Sequence, residues 1–575
     1  VYLDQLTVGG ASVNGFNAPS VAQVGQVPVS TTGNTGSYQS VVNAGSWVFD
    51  VRTYGAKGDG QAATDGSVTA SSNVLTCPSA PFTRADVGKA IQVKGALTSG
   101  ATSLVATITG YTSASTVTLS VAATATASSL LVLWATDDTA AIQATINAAF
   151  AYGQKYGMGL VWIPPGNGLF YGVAGALQPG VNGCNGQLTI PVQPDTGNKV
   201  ELIILGATDG GTTRHWHQKT PQLSGSTLVS FGVFPNATAQ TNSLTASGNP
   251  AVISGQTGAY GYGGNSLLYN NALVRLQNMQ VYTTHSANGW TYGALNMHGV
   301  AACVLENFGY GTTGTYAAAD FNNPNGFSAG LSIGVLLPSA GNNDNNQLRN
   351  VICHGGYTRG LFMTEHTDWL GGVMLYCWSG ICPVGNYDDA GSGHSNPGVG
   401  ASHGMNLSQI SIEGCNNMLE IIGPGQSGVG PMISGAVDTE GTQTIRDNSS
   451  GMVAACGVLH FKGNGAAAPT LGSATPMQVI CDFQFPGPAS SPPSLSVNTA
   501  IMNPYGRWVT INLTGGTGIT TIQLSALMGG ASAPSMTTVY TQAAGALTLY
   551  QLRVGPQGWF QINGTTVPTA TWWLE

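Results

Sequence analysis

Charge is what this chain has least of. Asp, Glu, Lys and Arg make up 7% of its 575 residues, against roughly 25% in ordinary globular chains. No basic run occurs anywhere, and the formal net charge is −8. Both facts argue against nucleic acid as a partner. Long apolar runs are missing too. No stretch approaches the roughly 18 unbroken apolar residues of a membrane-spanning helix, so no membrane insertion is expected. The first residues, Val1-Tyr2-Leu3-Asp4, have neither the charged leader nor the apolar core of a signal peptide. An exported chain after cleavage reads the same way. The nine cysteines are odd in number and irregularly spaced, with no C-x₂-C pair; Cys377 and Cys382 are closest. Buried free thiols, which behave as small apolar groups, are the expectation. Structural zinc is not.

Glycine is plentiful, at 82 residues, about twice its usual share. Low charge with so much glycine would suit disorder, but 42% of the chain is apolar and it carries 11 Trp, 20 Tyr and 15 Phe. Disordered chains lack the apolar groups needed to offset the entropy of ordering. A β-rich solenoid with many tight turns and a surface of Asn, Ser and Thr fits better. The length implies several domains.

Two segments carry the strongest signal: Phe49-Asp50-Val51-Arg52-Thr53-Tyr54-Gly55-Ala56-Lys57-Gly58-Asp59-Gly60, and Thr136-Asp137-Asp138-Thr139-Ala140-Ala141-Ile142-Gln143-Ala144-Thr145-Ile146-Asn147. Joined, they closely resemble the opening of the pectate-lyase-like superfamily of right-handed parallel β-helices, which includes many bacteriophage tailspikes and polysaccharide-cleaving enzymes. In that family the two halves nearly touch; here about 75 residues separate them. The implied fold is all-β: a right-handed parallel β-helix with an N-terminal helical cap, an inserted β-module and a C-terminal antiparallel β-sandwich.

The organisation expected is as follows. Residues 1–45 form an extended arm or attachment segment, or else a disordered terminus. Residues 46–60 and 135–470 form the β-helix. Residues 136–151 are its capping helix, with Thr136 as N-cap, Asp137 and Asp138 in the first turn, and Ala141, Ile142, Thr145, Ile146 and Ala149 on one face. Residues 61–134 are the module, whose Val/Thr-rich runs 103–109 and 115–121 read as strands. A segment within it, 80–89, is similar to one often inserted at this place in phage members. Leu160-Val161-Trp162-Ile163 reads as the first β-helix strand. The proline-rich stretch 471–499 is a linker, and 500–575 a β-sandwich of trimerisation or glycan-binding type. The latter is similar at 503–507 and 570–575 to terminal domains of actinobacterial phage tail proteins. Trp559, Trp572 and Trp573 bury against a partner subunit or in that domain's own core.

Four runs superpose as β-helix rungs: Val351-Ile352-Cys353-His354, Val373-Met374-Leu375-Tyr376, Ile410-Ser411-Ile412-Glu413 and Gly435-Ala436-Val437-Asp438. Strand alternation then points Val351, Cys353, Val373, Leu375, Ile410, Ile412 and Val437 inward, and His354, Tyr376, Glu413 and Asp438 outward in one column. Glu440, two residues on from Asp438, shares that face. Glycoside hydrolysis uses two carboxyl groups, one as acid and one as nucleophile or base. Glu413, Asp438 and Glu440 are therefore the leading catalytic candidates, set against a reading as solvated surface carboxylates. Glu365 and Asp368, with His366 between them, are the second set, or simply a polar turn. Substrate-binding candidates are His354, Tyr376, His366, His403, Trp216 and Trp369. Most of the aromatic side chains are expected to be core. His215 and His217 lack a third ligand for a metal. No cofactor is called for, although Asp344 in its asparagine run carries oxygen ligands of the kind calcium takes.

The resemblance implies a phage tail protein, carried extracellularly on the virion, trimeric, and joined to other tail proteins through its arm. Its partner would be a bacterial surface polysaccharide that it recognises and hydrolyses. A lyase is the second enzymatic choice, because few basic residues are available to take a sugar proton. A non-enzymatic adhesin and a secreted bacterial polysaccharidase remain the rival readings.

Overall fold

A computed structural model describes residues 47–98, 103–178, 185–193, 199–207, 223, 225–232, 250–255, 270–284, 291–297, 299–313, 333–337, 346–363, 367–383, 405–415, 417–421, 494–503, 508–528, 535–555 and 558–574. It also describes the backbone of short strands within 6–40 and 432–484. Most of the fold is strand; one α-helix occurs among the described residues. Two parallel sheets of 15 and nine strands dominate, and the chain passes back and forth between them. Asn270–Thr283 is followed by Gly293–Asn296 in the other sheet, then Val300–Thr312, Ile333–Leu336 and Asn346–Cys353. Each strand pairs in parallel with the strand one turn later. This is the connectivity of a solenoid. Its interior is one apolar column running from Val51 to Cys415.

A short sequence repeat sets the register. Leu276-Gln277-Asn278-Met279, Leu305-Glu306-Asn307-Phe308 and Leu348-Arg349-Asn350-Val351 stack on successive rungs. The three asparagines have positive φ, at 54°, 47° and 50°, a region that asparagine tolerates better than most residues. Their side-chain amides form a ladder: Asn307 Nδ2 donates to Asn278 Oδ1 at 2.9 Å, and Asn350 Nδ2 to Asn307 Oδ1 at 3.1 Å. Gly371 and Gln409 continue the column with φ of 71° and 56°. Every long strand therefore bends at this position. Leucines on one side and Met279, Phe308 and Val351 on the other both face the interior.

The family-like motif closes the first end. Val48–Asp50 is the outermost strand of the large sheet, ahead of Met158–Ile163, so the expected first strand is the second. The helix spans Thr139–Tyr156 and buries Thr139, Ile142, Thr145, Ile146, Ala149, Phe150 and Gly153. That face matches the expectation; the start does not. Asp138, not Thr136, is the N-cap residue. Its carboxylate accepts the amides of Lys57 at 2.6 Å and Gly58 at 2.9 Å, while Asp137 Oδ1 takes the Thr139 amide at 3.0 Å. Asp138 is thus recruited by the motif's other half, which the linear sequence holds some 80 residues away.

The intervening residues form a closed six-stranded barrel from Gln61–Val68 to Ala127–Ala135, around a core that includes Phe82 and Trp134. Its entry and exit are tied together. Asp59 accepts from the Thr136 amide at 2.9 Å and hydroxyl at 2.8 Å, and pairs with Lys89 at 2.8 Å. Lys89 also reaches Asp86 at 2.9 Å. The barrel packs on the solenoid wall through Ala90, Leu133, Phe170, Val229, Phe231 and Tyr282. Buried Gln92 joins them with polar contacts: it donates to Ser103 and Thr313 and accepts from Thr284.

The described C-terminal strands form one five-stranded antiparallel sheet, where two packed sheets were expected. Val509–Met528 bends near Gly515, Gly516 and Gly518, all at positive φ. One half pairs with Thr569–Leu574 and the other with Gly558–Asn563. The sheet thereby wraps its own core of Ile511, Leu513, Ile522, Phe560 and neighbours, and Trp572 packs partly against that core.

Candidate functional site

Beyond the asparagine column, Val281, Tyr310, Cys353, Met374 and Ile412 face the interior. Their neighbours must face outward. One outward column runs Tyr282, Gly311, His354, Leu375, Glu413. The pairs Tyr282–Gly311, Leu375–Glu413 and Glu413–Glu440 are in register, and His354 lies against Gly311, where an added Cβ would sit 2.8 Å from the His354 Cβ. The expected column is corrected at two rungs. Met374, not Val373 and Leu375, fills the interior, because Gly371 and Gly372 (φ 148°) carry the strand's bend. Asp438 pairs with Ser411, so Glu440 is the residue that stands in register with Glu413. The side chains of Asp438 and Glu440 lie outside the described residues.

Glu413 ends the strand Met405–Glu413 and is only 8% exposed. Its Oε1 accepts from Ser411 Oγ at 2.9 Å. Tyr376 sits in the turn after its strand with φ 44°. Its ring lies over Gly414, whose added Cβ would be 2.7 Å from the ring. Burial pushes the Tyr376 phenol up, and the Glu413 charge adds to the shift. His354 is buried, with its ring 5.8 Å from that of Tyr282. Leu375 and Ile352 are outward yet buried, so this half of the wall is largely covered.

Before the asparagine column the wall is open. Outward residues there stack as Gln277, Glu306, Arg349, Leu370 and Ser408, beside Arg275, Val304, Gln347, Asp368 and Asn406. Arg349, Asp368, Leu370 and Asn406 are exposed. Gln277 Nε2 donates to Glu306 Oε2 at 2.7 Å, and Asn406 Nδ2 to Asp368 Oδ1 at 2.9 Å. Arg275 is ion-paired with Glu201. Asp368 is thus on an outer face, though not the face of Glu413. Glu306 was not singled out from the sequence. Its signal is the Leu-x-Asn repeat, which marks the residue before each asparagine as outward.

Trp369 is a correction. It is fully buried, in register with Leu348 and Leu407 in the leucine slot of that repeat. Its Nε1 donates to the Gly371 carbonyl at 2.9 Å, so it offers no platform to a sugar. Glu365, His366, His403, Trp216, His215, His217 and Asp344 lie outside the described residues. Cys77, Cys303, Cys353, Cys377, Cys382 and Cys415 are free and buried, as expected of small apolar groups.

No family model matches this chain, and no curated protein does. Among solved structures, it is similar to a mutant tailspike of E. coli bacteriophage HK620 in complex with a hexasaccharide, at 11% identity and TM-score 0.33, over 76% of this chain and 89% of that one. It is also similar to the tailspike of Acinetobacter phage vB_ApiP_P1, at 9% identity and TM-score 0.22, over 76% and 86%.

Proposed function

We propose that this protein is a bacteriophage tailspike or tail receptor-binding protein that binds a bacterial surface polysaccharide and hydrolyses it, on a right-handed parallel β-helix. The observation that carries this reading is the register of Glu413 with Glu440 on adjacent rungs of the outer wall. Neighbouring strands lie about 4.8 Å apart, close to the roughly 5 Å carboxyl separation of retaining glycosidases. Glu413, 8% exposed at the end of its strand, takes the role of the acid. Glu440 is the nucleophile. Asp438, on the Ser411 rung, is the alternative base. The protein acts on the virion tail, outside the host cell, with the segment before residue 46 joining it to other tail proteins.

Self-association into a trimer fits the C-terminal sheet. Met536–Val554 pairs only with Val509–Met528 among the described strands. Its other edge is long and uncharged as far as Leu552, and Val539 and Leu549 are exposed. Soluble proteins normally cover or charge such an edge.

Burial of Glu413 supports a second reading, that of an adhesin without hydrolysis, in which the open wall alone contacts the glycan. Reducing-end release from envelope polysaccharide of a bacterium that the protein binds separates the two. Release that falls by orders of magnitude in Glu413→Gln and Glu440→Gln supports the hydrolase. No release from a polysaccharide that is demonstrably bound leaves the adhesin.

A further inference from the structure

We infer that the polysaccharide this protein takes is electrically neutral. The inference rests on the polysaccharide-binding reading above and names its substrate class. The carrying observation is where the charge lies. Residues 160–470 hold eight Lys and Arg against fifteen Asp and Glu, so nearly the whole net charge of −8 belongs to the solenoid. The cations whose side chains are described there are four: Lys199, Arg275, Arg349 and Arg359. Arg275 is ion-paired with Glu201, and Arg359 stands 6.0 Å from the Phe362 ring. Arg349 is one rung from Glu306 in register.

The open wall therefore offers a polymer amides and carboxylates, namely Gln277, Glu306, Gln347, Asp368 and Asn406, with Arg349 as the exposed cation among them. Carboxylates and amide oxygens accept hydrogen bonds, and sugar hydroxyls donate them. A uronate or phosphate on each repeat would instead sit within a Debye length, about 8 Å at physiological salt, of Glu306 or Asp368. Like charges so placed repel, and complementary fields are what steer and select charged ligands.

The test uses the full chain, fluorescently labelled, and a bacterial strain to whose cells it binds. Surface polysaccharide of that strain is released and split on an anion exchanger into a neutral flow-through and an anionic salt eluate. Each fraction then competes with the cells. Competition by the neutral fraction, with cell binding that changes less than about two-fold across the salt range in which screening operates, is the expected result. Competition by the anionic fraction alone, weakened by salt, overturns the neutral-glycan inference and leaves the polysaccharide reading standing. Competition by neither fraction, with binding that survives periodate oxidation of the cells, overturns the polysaccharide reading itself.

Discussion

The same strands behave differently on the two sides of the asparagine column. Before it, polar outward residues are hydrogen-bonded to one another, Gln277 with Glu306 and Asp368 with Asn406, and several are open to water. After it, the outward residues include Ile352, His354 and Leu375, all buried, and a carboxylate, Glu413, that is nearly so. Backbone and spacing are common to both halves. Near the first turns the inserted barrel covers the second half through Phe231 and Tyr282. A solenoid wall is thus not one surface. A carboxylate on the open half is a hydrogen-bonding group held in water, whereas Glu413 on the covered half is almost wholly out of it.

The largest expected effect breaks this comparison at its chemical end. Glu413→Gln and Glu440→Gln lower polysaccharide hydrolysis by about 10²–10⁴-fold, the range for a lost acid or base, with binding to the same polymer retained. Glu306→Gln on the open half lowers it less than about ten-fold, the cost of one hydrogen-bonding group. Equal losses in both halves, read by reducing-end release, would sink the distinction.

The next effects concern the barrel that covers the second half. Asp59→Ala removes two hydrogen bonds from Thr136 and the ion pair with Lys89. With Lys89 still paired to Asp86, the lost hydrogen bonds cost about 2 kcal/mol. Limited proteolysis at the barrel junctions at a temperature where the wild type resists cleavage measures it. Asp138 gives the same junction a pH dependence. Burial pushes its carboxyl up to about 6, against the opposing hydrogen bonds of Lys57 and Gly58, with the Asp59 and Asp137 charges adding to the rise. A raised carboxyl binds more protons folded than unfolded, so stability falls as pH rises from about 4 to about 6. The gain on acidifying from pH 7 to pH 5 is worth up to about 1–2 kcal/mol. Asp59 and Asp86 are shifted the other way, burial being outweighed by Lys89 and by the Thr136 or Thr83 groups. Their contribution is present above the usual carboxylate range and is lost as pH falls below about 4. Thermal melts across pH 3–8 should therefore peak on the acid side of neutrality, and Asp138→Asn should flatten the limb between about 4 and 6. A melt that rises steadily from pH 4 to 7 in both proteins contradicts this account.

The column between the two halves is a smaller target. Asn307→Ala loses two ladder hydrogen bonds and places alanine at φ 47°, for about 2 kcal/mol in total. Asn307→Gly keeps the conformation and loses only the ladder, for about 1 kcal/mol. A glycine variant no more stable than the alanine one would show that backbone conformation contributes little. The smallest effect is Asp368→Asn, which keeps the partner Asn406 and should change affinity for a neutral glycan less than about three-fold. A larger gain in affinity for an anionic polymer from the same change would confirm what that carboxylate repels.

Much of the fold was legible because local chemistry dictates it. Phe49–Gly60 and Thr136–Asn147 mark the capped end, and the helix face of Ile142, Thr145, Ile146 and Ala149 follows from spacing alone. The expected strand 103–109 lies within Ser103–Ser113 of the closed barrel, and 115–121 contains its shorter strand Thr116–Leu119. Register was less legible. Val373-Met374-Leu375 is apolar throughout, so alternation cannot say which residue turns inward, and the bend at Gly371 and Gly372 decided for Met374. One misplaced rung carried Asp438 into the position that Glu440 holds. Trp369 read as a surface aromatic because its slot, one of a series otherwise filled by leucine, is visible only once the Leu-x-Asn repeats are stacked.

The sequence by itself determined that this chain winds parallel strands around an apolar interior, closes one end with a helix, and interrupts its opening motif with a separate β-module. Those outcomes depend on periodicity, turn residues and capping groups, which act over a few neighbours. Only the tertiary structure decided which carboxylates share a rung, which half of the wall is covered, and that Asp59 and Asp138 join segments some 80 residues apart. Those depend on long-range register, where a shift of one residue turns every side chain to the opposite face.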